Sequence, residues 1–154
     1  MVASVVLLFG CTAQQAIERR VREIHGSRVA SVEVTPGQPS DDVRMHARVV
    51  LAGTQRPTLA QACGVLVKMA ERSEEGTVEV TYAITEGDGT SSLLQFSWSP
   101  QPPELVLWEG RSPGPRGEGL ATLFPVQRAT GVDRARLEEL AGGGDVRMEP
   151  WPTR

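Results

Sequence analysis

The feature that most constrains this chain of 154 residues is a period-two alternation across residues 42–52. One set of side chains is apolar: Val43, Met45, Ala47, Val49 and Leu51. The other set is Arg44, His46, Arg48 and Val50. Because successive side chains of a β-strand point to opposite sides, this pattern predicts a strand with one face in the core and one toward solvent.

Two other segments have the apolar period of an α-helix. Over 13–25 apolar residues recur at i, i+4 and i+7, and Thr12 with Gln15 has the spacing of a capping box at the helix start. Thr58 and Gln61 repeat that spacing, and an apolar stripe follows them. We expect two amphipathic helices, one before and one after the alternating strand.

Further strands are expected on either side of the second helix. Strand patterns occur at 29–35, 78–84, 94–98 and 104–108. A glycine-rich turn at 86–90 joins two of them into a hairpin. After Ser99 the chain is rich in proline and glycine, and a short helix is expected at 134–141 with Asp133 as its N-cap.

The element order predicts an α+β fold. We expect an antiparallel or mixed sheet of four to five strands, in the order α-β-β-α-β-β, with two main helices on one face. A short C-terminal helix completes this expected fold.

Composition narrows the function classes. The formal net charge is -3, which argues against a dedicated nucleic-acid binder because such proteins have a basic footprint. Lys68 is the only lysine, so nearly all of the positive charge is arginine, a bias typical of a high-GC bacterium.

The N-terminus has the strongest functional signal. A short apolar run over 2–9 ends in Gly10 and Cys11, and a polar segment follows. The run is much shorter than the ~20 residues of a spanning helix and has the form of a secretory signal. Its end, Leu8-Phe9-Gly10-Cys11, resembles the lipobox of bacterial lipoproteins.

That resemblance implies a lipid anchor on Cys11 and a location in the cell envelope, outside the cytoplasm. Residues 1–11 are then a signal and lipidation segment, 12–99 the α+β core, and 100–154 an extension packed on the same domain. Two alternatives stay open. Residues 1–10 are a buried core strand of a cytoplasmic interaction or regulatory domain, or the run is a truncated or unusual membrane anchor.

The expected order of elements over 13–85 also resembles the BON domain of bacterial envelope proteins. This resemblance implies phospholipid binding. Arg44, His46 and Arg48 would then form an anion or lipid-binding face, since they share one side of a strand over about 14 Å. The alternative is a structural ladder of cross-strand charge pairs, in which Glu33 and Glu79, with matching parity on neighbouring strands, lie opposite the arginines.

No pattern of catalytic, metal-binding or nucleotide-binding residues is recognisable. His25 and His46 lie in different elements, and Cys63 lies on the apolar stripe of the second helix, which is typical of a core residue. We therefore expect no cofactor and no metal. The sequence favours a non-enzymatic envelope lipoprotein that binds the membrane through its lipid and has a protein partner in the envelope.

Overall fold

The computed structural model describes residues 2–37, 42–73 and 76–152, with side chains from residue 13 onward. The helices in this part of the chain are α1 (Val2–His25), α2 (Leu59–Arg72) and α3 (Arg134–Ala141). The strands are β1 (Val29–Pro36), β2 (Val43–Leu51), β3 (Thr77–Thr85), β4 (Ser91–Pro100), β5 (Pro103–Ser112), β6 (Thr122–Thr130) and β7 (Glu149–Pro150).

Within the described residues, all seven strands form one mixed sheet whose order follows the chain. Every neighbouring pair is antiparallel except β2 and β3, which are parallel. The expected sheet of four to five strands with two main helices is therefore wrong, because β6 and β7 extend the sheet and α1, α2 and α3 pack beside it.

The strand β6 was missed because its sequence contains Pro125, a residue that removes a ladder hydrogen bond. The structure accommodates this proline at an irregularity in the pairing with β5. Leu107 lies opposite Gln127, whereas the next residue, Trp108, lies opposite Pro125. One extra residue in β6 therefore forms a bulge, a position where a strand tolerates proline.

All three helices lie on the same face of the sheet and enclose the main core. The crossover from β2 to β3 runs through α2, which packs against both α1 and α3. The core contains fully buried side chains from α1 (Ile17 and Val21), α2 (Leu66 and Met69), α3 (Leu137 and Leu140) and the inward positions of the strands. The alternation predicted for β2 is confirmed, since Ala47, Val49 and Leu51 belong to this core.

Local capping signals set the starts of two helices. Thr58 accepts a hydrogen bond from the backbone N–H of Gln61, and the Gln61 side chain accepts one from the N–H of Thr58, so this capping box is confirmed. Asp133 caps α3 in the expected way through the N–H of Arg136. Gly64 lets α1 approach α2, because a Cβ there would lie 2.9 Å from Ile24 Cδ1.

The first helix differs from both expectations for the N-terminus. Its backbone is helical from Val2 and continuous through residue 12, so a helix start at Thr12 is wrong. The alternative expected a core strand over residues 1–10, and the backbone described from Val2 onward is helical there. The cytoplasmic location that this alternative implies stays a prediction. Among the described residues, no helix combines the length and apolarity that crossing a bilayer requires.

His25 is buried at the C-terminal end of α1. Its Nε2 atom lies 2.9 Å from the hydroxyl oxygen of Tyr82, and Nδ1 has no hydrogen-bond partner among the described residues. Burial lowers the pKa of His25 to about 4, with a smaller contribution from the positive charge of Arg28. His25 is therefore neutral in the folded protein at physiological pH.

We expect the free energy of unfolding to fall as the pH is lowered from about 6.5 to about 4, because the unfolded chain protonates His25 in this window and the folded chain does not. The difference between the two pKa values is equivalent to on the order of 3 kcal/mol. Urea unfolding across this pH range measures the effect. His25→Gln should flatten the profile. Identical profiles for the wild type and His25→Gln would contradict the assignment.

Candidate functional site

The face of the sheet opposite the helices, here called the open face, carries mainly polar side chains. No helix in the described residues packs on it. Its central members are Thr35, His46, Arg48, Glu79, Thr81, Gln95, Ser97 and Trp108. These residues lie at the strand positions that alternate with the core positions, so the same period that builds the core also presents them together.

A chain of hydrogen bonds runs across three strands of the open face. His46 Nδ1 lies 2.9 Å from Glu79 Oε1, and Glu79 Oε2 accepts a hydrogen bond of 3.3 Å from Gln95 Nε2. The Gln95 side-chain oxygen accepts one of 2.8 Å from the Thr81 hydroxyl. The His46 and Glu79 side chains are 29% and 19% exposed, so the pair is only partly screened by water.

This network follows from the strand register. His46 and Glu79 are directly paired in the parallel β2–β3 ladder, and Thr81 and Gln95 are directly paired in the antiparallel β3–β4 ladder. The hydrogen bond from Gln95 to Glu79 then connects the two pairs diagonally. A shift of one residue in either ladder would move these side chains to the core face.

Aromatic residues extend the open face at β5. The indole N–H of Trp108 donates a hydrogen bond of 3.1 Å to the Ser97 hydroxyl. The rings of Trp108 and Trp151 lie 6.5 Å apart, and the Arg128 guanidinium lies 5.4 Å from the Trp151 ring centre. This end of the face thus offers ring surfaces beside hydrogen-bonding groups, a mixture typical of recognition surfaces.

The connection between β5 and β6, residues 113–121, folds over one end of the open face. Arg48 Nη2 donates hydrogen bonds to the carbonyl oxygens of Arg116 and Gly117. The Gly117 N–H donates in turn to the Ser91 hydroxyl, at 3.1 Å. Gly117 has a φ of +76°, and a Cβ there would lie 2.6 Å from the Arg48 guanidinium, so glycine is required.

The structure brings together the three sheet residues expected to form an anion site, but it gives them different surroundings. Glu79 pairs with His46, whereas the charge-ladder alternative expected it opposite an arginine. Arg48 lies opposite Glu33 in the ladder but donates to the loop carbonyls, while Glu33 is exposed. Arg44 is exposed near the start of β2. Glu79 thus engages His46, and the loop carbonyls engage Arg48.

Of the two cysteines, only Cys63 has a side chain that the structure describes. The side chain of Cys11 lies outside the described residues, so its lipidation stays a prediction. Cys63 is fully buried in α2, and burial raises the pKa of its thiol to about 12. Cys63 is therefore a core residue, as expected, and is protonated at physiological pH. Within the described part of the chain, no group of three His, Cys, Asp or Glu side chains could hold a metal ion.

Sequence reasoning missed Thr81, Gln95, Ser97 and Trp108 as members of the site. They lie on β3, β4 and β5, and only long-range register places them on the same face as His46. A signal was present in the outward positions of β3 and β4, which are mostly Thr, Glu, Ser and Gln rather than apolar.

Comparison with protein-family models, curated proteins and solved structures gives no match.

We expect Arg48→Ala to loosen segment 113–121, because this guanidinium bonds two of its carbonyl oxygens. The free energy of unfolding should fall by about 1 kcal/mol, as for a partly exposed charged hydrogen bond. Hydrogen exchange should accelerate at the Gly117 N–H. Arg111→Ala removes an equal charge from an exposed side chain near the end of β5 and serves as the control. Equal exchange in both variants would contradict this role for Arg48.

Proposed function

We propose that this chain is a non-enzymatic binding module of the cell envelope, tethered through lipid on Cys11, which recognises a protein or another envelope component on its open face. The observation that carries this proposal is the asymmetry of the sheet. Three helices cover one face, while the other presents a hydrogen-bonded polar strip beside the Trp108 ring. His46, Glu79, Gln95 and Trp108 are half-buried on this face, and surfaces that mix aromatic rings with hydrogen-bonding groups are typical of recognition sites.

The surroundings of His46 favour binding over hydrolysis. A histidine that acts as a general base for a hydroxyl nucleophile must lie within hydrogen-bond reach of that hydroxyl. The Thr81 hydroxyl donates to Gln95, and the Ser97 hydroxyl accepts from Trp108. Both therefore belong to the network of the face and bond to groups other than the imidazole.

The charge balance of the open face favours a polar partner over an anionic membrane surface. A phospholipid-binding face would need cations whose charge is not already compensated. Glu79 lies beside His46, and Glu33 lies opposite Arg48 in the ladder. A BON-like phospholipid site on this face thus has weaker support than a site for a partner with both donors and acceptors.

The tether is tested by metabolic labelling with a palmitate analogue. We expect the wild-type chain to incorporate the label and Cys11→Ser to lose it, because the lipobox cysteine is the acceptor. Cys63→Ser is the matched control. Because the Cys63 thiol is buried, this substitution should leave labelling unchanged. Labelling that survives Cys11→Ser, or no labelling of the wild type, would contradict the proposed tether.

A further inference from the structure

A second polar surface lies on the opposite side of the molecule, between α1 and α2. It is a cleft of about 350 Å³ with a floor of small and apolar residues that includes Ala16, Gly64 and Val67. The close approach of the two helices at Gly64 sets its depth. Its rim carries the charged residues Arg19, Arg20, Glu23, Lys68, Glu71 and Arg72.

The rim has a surplus of positive charge. Four cations and two carboxylates leave a difference of two positive charges, although the whole chain has a net charge of -3. Arg20 pairs with Glu23 at 3.2 Å, and Lys68 pairs with Glu71 at 3.6 Å. Among the described residues, neither Arg19 nor Arg72 has an ion-pair partner, so these two guanidinium groups carry the surplus.

We propose that this cleft binds a phosphate group. Two arginines from different helices border one concave surface, and the planar fork of a guanidinium matches the oxygen geometry of phosphate. Lys68 borders the same cleft from α2, where it pairs with Glu71. The open face differs in this respect, because Glu79 and the loop carbonyls already engage His46 and Arg48.

The phosphate can come from a lipid headgroup or from a free anion. The headgroup source rests on the proposed tether at Cys11. Arg19 follows Cys11 by eight residues along α1, and this corresponds to about 12 Å of helix. A lipid on Cys11 would therefore hold the cleft close to the anionic surface, where basic residues gain most from headgroup charge.

The test uses the unlipidated full chain with Cys11→Ser, so the result does not depend on the tether. One arm measures co-sedimentation with phosphatidylcholine vesicles, with and without phosphatidylglycerol. The other follows backbone amide resonances of α1 and α2 during titration with inorganic phosphate at constant ionic strength. Arg19→Gln combined with Arg72→Gln removes the surplus charge and retains most of each side-chain stem.

We expect the double variant to bind anionic vesicles about 30-fold more weakly, or about fivefold for each arginine. Arg116→Gln with Arg147→Gln is the matched control, because both arginines are exposed and lie outside the cleft. Urea unfolding of each variant separates binding from a stabilising role of Arg72 in the last turn of α2.

Vesicle binding that the Arg19/Arg72 variant loses supports a headgroup as the source. Resonance shifts with phosphate alone, again lost in that variant, support a free anion. Absence of both effects, or equal losses in the control variant, would overturn the proposal. Palmitate labelling can fail while the cleft still binds phosphate, so failure of the tether and failure of the cleft are distinguishable.

Discussion

One pairing among the described strands is parallel, that between β2 and β3, and the rest of the architecture depends on it. Parallel neighbours cannot be joined by a tight turn, so the chain between them must cross one face of the sheet. Here the crossover is α2, whose apolar stripe supplies Cys63, Leu66 and Met69 to the core. Because α1 and α3 pack on either side of α2, all helical cover lies on one face and the other stays open.

The two faces of the sheet consequently contribute differently to stability and to binding. The covered face excludes water and provides most of the hydrophobic stabilisation. On the open face, His46, Glu79, Gln95 and Thr81 bond to one another, so their side chains are held in fixed positions before any partner arrives. Such preorganisation lowers the entropic cost of association. The charge surplus lies elsewhere, in the cleft between α1 and α2.

Features encoded by local periodicity could be predicted from the sequence. The alternation of β2 correctly separated Ala47 and Val49 from His46 and Arg48, and the capping box at Thr58 correctly located the start of α2. These signals depend only on neighbouring residues. Parity alone restricts which residues of adjacent strands share a face, so the sequence correctly placed Glu79 on the same face as His46. The charge ladder expected Glu79 opposite an arginine, whereas the register pairs it with His46.

Features that depend on long-range register were missed. In the sequence of β6, Pro125 indicates a break in the strand. Only the pairing of β6 with β5 shows the bulge at which this proline is tolerated. The Gln95 and Thr81 part of the network requires the register of β3 against β4. The upstream extent of α1 was missed because the spacing of Thr12 and Gln15 imitates a helix start within a segment that is helical on both sides.

The central claim is that the open face is the recognition surface, and site-specific photo-crosslinking in intact cells tests it most directly. A photoreactive residue replaces Thr35, which lies opposite His46 on the open face, or Glu138, which is exposed on α3. We expect a discrete adduct from position 35 that is absent from position 138. No adduct at position 35, or the same adduct from both positions, would contradict it.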